Sequence, residues 1–283
     1  LSFVCGALTY DKPFLAPLFS LAAMVRKKTG GKVDTTCLPP YVKFILAHLG
    51  ERISRRREIH CSRGKPRNGR VIERFRTDAK AEGDLVTVGG YQTHDEDGLP
   101  ILPLDAKWFL LVLTRASAPW AFAKGEPFRT IASLELLGSL LGIMLLVEGK
   151  DKGVHYFKGC LSVGVRGLTD NSGNRYAVAR MLTTRWPLVA FLAEMSAQLE
   201  ERGMLFEMNW VPREQNAEAD AITNGDVNWL NPQLRVASDL ERLPFLILKE
   251  ILIKGASFYE ELDTVNVGAL EAQMKDPRSL RVR

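Results

Sequence analysis

Residues 130–147 (TIASLELLGSLLGIMLLV) are apolar on every side of a helix and carry one charge, Glu135. A helix that is apolar all round must be buried, in a protein core or in a bilayer. The run is close to the shortest length that spans a membrane. Ser133, Gly138, Ser139 and Gly142 interrupt it, and strand-like segments lie on both sides. A buried core helix, with no membrane partner, is therefore the expectation. The carboxylate within it is costly to bury unless something positive meets it. No Lys or Arg stands three or four positions away to pair with it along the helix. Glu135 is therefore a candidate metal ligand.

The chain's 283 residues leave room for one large domain or two small ones. Four cysteines (Cys5, Cys37, Cys61, Cys160) are scattered without a CxxC pair. Neither a zinc site nor a disulfide framework is expected, even with His60 beside Cys61, and a reducing, intracellular compartment fits better. Asp11 and Lys12 break the first apolar stretch, and a basic n-region is lacking. No secretion signal is expected, therefore, and a first residue of Leu1 suggests a piece of a longer product.

A net charge of +5 hides an asymmetry. Residues 1–76 carry 16 Lys/Arg against 5 Asp/Glu, whereas the remainder carries 22 against 28. The cations cluster at Arg26-Lys27-Lys28, Arg55-Arg56-Arg57, and Arg63, Lys65, Arg67 and Arg70. Clustered cations gain from counterion release, which makes a polyanion such as nucleic acid the expected partner.

Three regions follow from the pattern. Residues 1–69 read as a basic helical segment. Apolar helices flank Lys12-Pro13, and a helix opened by Pro39-Pro40 runs to about Arg57 with Val42, Ile45, Leu46, Leu49 and Ile53 on one face. The Gly/Pro-containing linker 62–70 marks a boundary. Residues 70–225 read as α/β. Strands are expected at 71–77 (ending at Asp78), 85–91, 107–114, 162–169 (ending at Asp170) and 204–211. Helices are expected at 128–148, after Ser172, from Pro187 to a cap at Gly203, and around Asp220. Three consecutive strands suggest an antiparallel meander, and the later alternation suggests parallel crossovers onto the same sheet. Residues 226–283 read as an extension with a helix near 240–253 and a loose polar tail.

Asp78, Glu135, Asp170 and Asp220 thus stand at or near strand ends, in a packed helix and in a late helix. Each has a plain alternative: a turn cap for Asp78, an N-cap for Asp170, a surface helix residue for Asp220. Jointly they suit phosphodiester hydrolysis. Hard divalent ions take oxygen ligands, and two such ions activate a water and meet the charge of the leaving oxygen.

Those positions, together with the strings FRTDAKAEG, ASLELLG, LTDNSGN and VPREQNAEADAIT, resemble the ribonuclease H domain that follows reverse transcriptase in retroelements. Asn216, Ala219, Asp220 and Ala221 match its closing N-x-x-A-D-A signature. The likeness spans roughly residues 70–225. FVCGALTYDKPFLAPLFSLAA is similar to the thumb or connection region of DIRS-like and pararetroviral reverse transcriptases. The resemblance implies a ribonuclease H-like fold, with a five-stranded mixed sheet (three antiparallel strands, then two parallel) flanked by helices. It implies cleavage of the RNA strand of an RNA–DNA hybrid with two Mg²⁺ or Mn²⁺ ions, the 2′-hydroxyls marking RNA. Asp78 would bridge both ions, Glu135 and Asp170 would hold the one nearest the leaving group, and Asp220 would hold the other. Asn171, Ser172, Arg175, Arg213 and Asn216 would contact the nucleic-acid backbone beside the acids, with Arg55, Arg56 and Arg57 further off.

The chain departs from the family in two places. Ala79-Lys80 follows the first Asp where Ser or Thr is frequent, and none of His48, His60, His94 and His155 precedes Asp220 closely. No YxDD-like polymerase motif occurs, so a polymerase domain is expected upstream. The rival readings are a non-catalytic nucleic-acid-binding module of the same fold and an integrase- or transposase-type nuclease. The second would take its Glu from a late helix.

Overall fold

The computed structural model describes residues 9–29, 38–55, 71–148 and 163–275. Among them are helices α1 (Ala16–Thr29), α2 (Pro40–Arg55), α3 (Ile131–Leu141), α4 (Ser172–Arg180), α5 (Leu188–Glu201), α6 (Ala217–Thr223) and α7 (Leu248–Lys275). The strands are β1 (Val71–Glu82), β2 (Leu85–Gln92), β3 (Trp108–Leu113), β4 (Val163–Thr169) and β5 (Met204–Trp210). All four cysteines, His60, His155, the 62–70 linker, Arg56 and Arg57 lie outside the described residues, as does the side chain of Arg55.

The five strands form one sheet in the order β3-β2-β1-β4-β5. β1, β2 and β3 pair antiparallel, and β4 joins β1 and β5 in parallel. This is the mixed sheet that the resemblance implies. One strand differs from expectation. β1 does not stop at Asp78 but runs to Glu82, so Asp78 stands inside the strand opposite Gly89. Ala79, Lys80 and Ala81 have weak strand preference, but pairing with Val88, Thr87 and Val86 across a tight Gly83-Asp84 turn overrides it.

The apolar run is a core helix. A 3-10 turn (Pro127–Thr130) leads into α3, and a π-helical turn (Gly142–Leu146) ends it. The stretch Pro127–Leu146 is the one helix among the described residues long and apolar enough to cross a membrane, and 72% of that window is buried inside the protein. Two glycines let α3 seat on the sheet. A Cβ on Gly138 would stand 3.2 Å from Val88, and one on Gly142 would stand 2.5 Å from the ring of Phe75. Arg202 closes the π turn by donating to the carbonyls of Ile143 (2.9 Å), Met144 (3.2 Å) and Val147 (3.2 Å). These are carbonyls that a helix end leaves without a partner of its own.

α5 packs against α3, and α4 against β4 and β5, while α6 lies on β1 and β2. The N-terminal helices and α7 share the main apolar core. Tyr41 of α2 meets Phe258 and Tyr259 of α7, and Trp186 stacks on Tyr259 at 4.8 Å. Ile53, expected on the buried face of α2, is exposed. The final helix also departs from expectation. Residues 240–247 form turns around Pro244, and α7 begins only at Leu248 and continues to Lys275, where a loose tail was expected. Proline lacks the N–H that a helix interior needs. Glu194 of α5 supplies the start instead, as its buried carboxylate accepts from the N–H groups of Leu246, Ile247 and Leu248 at 2.8–2.9 Å.

Candidate metal centre

The parallel register of β1 with β4 runs to Arg76 opposite Leu168, and β4 ends at Thr169. Carried two residues further, that register sets Asp78 level with Asp170 on neighbouring strands, about 4.8 Å apart. Because β4 stops while β1 continues, a notch opens on the β4 side of β1. Glu135 reaches it from α3. One carboxylate oxygen each from Asp78, Glu135 and Asp170 lies within 4.8 Å of the other two.

Local interactions aim these side chains. Asn171, not Asp170, caps α4: its side-chain oxygen accepts the N–H of Asn174 at 3.2 Å, so the Asp170 carboxylate is free of that duty. The Trp210 indole N–H holds the Asp170 carbonyl at 2.8 Å. Thr169 accepts the N–H of Asn171 (3.1 Å) and donates its hydroxyl to Glu135 (3.4 Å). On the other side, the Thr223 hydroxyl donates to Asp78 at 2.7 Å.

Three carboxylates in one buried notch repel. Burial, more than any other influence, pushes the Asp78 carboxyl up to about 6; the charges of Asp170 and Asp220 add to the rise, while the Thr223 hydrogen bond opposes it. Glu135 is held well above the usual carboxylate range by its burial, then by the charges of Asp78 and Asp170. This donor set, all oxygen and crowded into one notch, fits a hard divalent cation, which would relieve both the repulsion and the desolvation.

Asp220 stands beside this cluster, outside the trio. It comes from α6, and its side chain is 28% exposed. Its two oxygens are engaged separately, one by Arg213 at 2.7 Å and the other by Asn224 at 2.7 Å. Lys80 of β1 donates to the oxygen of Asn224 at 2.9 Å. Among the expected nucleic-acid contacts, Ser172, Arg175 and Arg213 are exposed, and Arg175 lines a groove between α4 and β5. Asn216 is turned inward: it is 1% exposed and its amide donates to the Thr77 carbonyl at 3.1 Å, tying α6 to β1 rather than facing a phosphate.

Thr169, Thr223, Trp210 and Asn224 escaped the sequence reading, and Lys80 entered it only as a departure from the family's pattern. Thr223 carried a signal, since three positions after Asp220 puts it on the same helix face. Lys80 carried another, since two positions after Asp78 puts it on the same face of the strand. Asn224 carried the same signal as Thr223, since it follows Asp220 by four positions, whereas Trp210 acts through a backbone contact that no spacing rule predicts.

No protein-family model matches the chain, and no curated protein matches it. Solved structures that align with it include RNase H1 from the halophilic archaeon Halobacterium salinarum NRC-1 (14% identity, TM-score 0.31, covering 56% of this chain and 98% of that one). A second is the N-terminal RNase H domain of rv2228c from Mycobacterium tuberculosis (15%, TM-score 0.33, 56% and 94%). A third is LC11-RNase H1 in complex with an RNA/DNA hybrid (20%, TM-score 0.32, 54% and 95%). The fold rests on the strand order and the site on the three converging acids.

Proposed function

We propose that the chain is a metal-dependent ribonuclease H that cleaves the RNA strand of RNA–DNA hybrids as part of a retroelement polyprotein, downstream of a polymerase domain. The observation that carries this reading is the convergence of Asp78, Glu135 and Asp170, three acids drawn from β1, the core helix and the end of β4, with one oxygen from each within 4.8 Å of the others. The hybrid substrate and the retroelement setting come from the sequence resemblance.

In this reading Asp78, Glu135 and Asp170 would hold Mg²⁺ or Mn²⁺, with Asp220 as a further ligand beside them. Bound there, the metal would supply a hydroxide and a counter-charge for the leaving oxygen. The chain's own contribution is to keep the ligands aimed. Thr169 and Thr223 fix the Glu135 and Asp78 carboxylates, and Trp210 holds the backbone at Asp170. Ser172 and Arg213 beside the acids, and Arg175 further along α4, offer donors to the phosphodiester backbone, and the Arg55–57 cluster offers further positive charge.

The test is a cleavage assay on a labelled hybrid with Mg²⁺ or Mn²⁺ titrated in. The RNA strand is expected to be cut and the DNA strand spared. Asp78→Asn is expected to lower the rate by about a thousandfold or more while leaving hybrid binding largely intact, since it removes a central ligand and little surface charge. Binding without metal-dependent cutting by the parent protein would favour a non-catalytic module instead.

A further inference from the structure

Both places where this chain departs from its family's pattern meet at the same carboxylate. Arg213 occupies the loop before the last acid, where no histidine stands, and its guanidinium is 2.7 Å from one oxygen of Asp220. Lys80, two residues after the first acid, orients Asn224, whose amide takes the other oxygen at 2.7 Å. Neither oxygen of Asp220 is thus left without a donor, and the field of Arg213 extends to Asp78 and Asp170. The trio, by contrast, has no Lys or Arg within ion-pair distance among the described residues.

From this asymmetry we infer that Arg213 is a latch on the fourth acid. The free protein takes one divalent ion tightly at Asp78, Glu135 and Asp170, and Arg213 competes with the second at Asp220 until it swings away. Arg213 is suited to the movement. Its side chain is 74% exposed on a single 3-10 turn, so the pair is screened by water and weakly held. A phosphodiester offers a guanidinium a competing pair of acceptor oxygens. Substrate arrival would then draw Arg213 off Asp220 and open the second position, coupling the complete ion set to the presence of nucleic acid. Arg213 acts in this as a positioning residue. The inference rests on the metal-site reading above and specifies how that site is regulated.

The experiment is a calorimetric Mn²⁺ titration of the full chain without nucleic acid, in parallel with Arg213→Ala and Arg213→Lys. The parent is expected to bind one ion tightly and a second much more weakly. Arg213→Ala should tighten the second step by about fivefold, which corresponds to about 1 kcal/mol, and leave the first nearly unchanged. Arg213→Lys should behave as the parent, because it keeps a cation at that position. A merely structural role for Arg213 would weaken binding on removal, not strengthen it. Equal steps in the parent, or an unchanged second step in Arg213→Ala, would overturn the latch while leaving the metal site standing. No binding by any of the three proteins would overturn both.

Discussion

Single residues decide the electrostatics of this protein. Asp78, held at about 6, binds its proton more tightly in the folded chain than in the unfolded one, where an aspartate titrates near 4. Its neutral form therefore favours folding at low pH, and that advantage is lost as pH rises from about 4 through about 6. Metal binding needs the ionised form and so follows the opposite course. The rise in melting temperature on adding millimolar Mg²⁺ should be small at about pH 5 and should grow as pH rises through about 6. Asp78→Asn should remove both the metal response and this part of the pH dependence. Circular dichroism melts of the two proteins across that range, with and without Mg²⁺, read out both effects. A metal response that does not change with pH would contradict the crowded-carboxylate picture.

At the scale of elements, the site depends on how closely the core helix approaches the sheet. Glu135 reaches the notch because α3 lies against β1 and β2, and Gly138 and Gly142 make room for that approach. A Cβ on Gly142 meets the ring of Phe75, itself 0% exposed, at 2.5 Å. Overpacking of this kind costs about 1–3 kcal/mol. Gly142→Ala is thus expected to destabilise the protein by that amount in urea unfolding and to weaken Mg²⁺ binding by displacing Glu135. Alanine is otherwise the better helix former, so a more stable variant would show that the approach is looser than described. Much of this level was readable from sequence. Residues 130–147 announced a buried helix by their lack of a polar face, and the strands of 85–92, 163–169 and 204–210 by their apolar, β-branched or aromatic content. The second half of β1 was not readable. Ala79, Lys80 and Ala81 take their strand conformation from a partner, and a partner's contribution is invisible in a local window.

The whole molecule is tied together across long stretches of chain. Arg52 of α2 meets buried Asp11 at 2.9 Å, and Tyr41, Trp186, Phe258 and Tyr259 lock the N-terminal helices to α7. Glu194 fastens the start of α7 through three backbone N–H groups and also accepts from Gln198 at 2.8 Å. Glu194→Ala would leave those donors buried without an acceptor, at a cost of about 1–3 kcal/mol for such a group. A lower melting temperature is expected, with faster amide exchange at the start of α7 than in the central strands. Undiminished protection of Leu248 would show that the cap is dispensable. The start of this helix was misplaced from sequence because the apolar spacing of Leu243, Ile247, Leu248 and Ile251 runs straight across Pro244. Its true beginning depends on a carboxylate some fifty residues away.

The amino-acid sequence by itself determined which acids were available, that one of them lay in an all-apolar helix with no cation near it, and that strands and helices alternated as a mixed sheet requires. These are local properties: period, propensity and the cost of burying a charge. Only the tertiary structure decided that β1 outruns β4 and leaves a notch, that three of the acids crowd into it, and that the fourth is held by Arg213 and Asn224. Those outcomes depend on register and on contacts between distant segments. Through-space forces act on distance in the fold, not on separation along the chain.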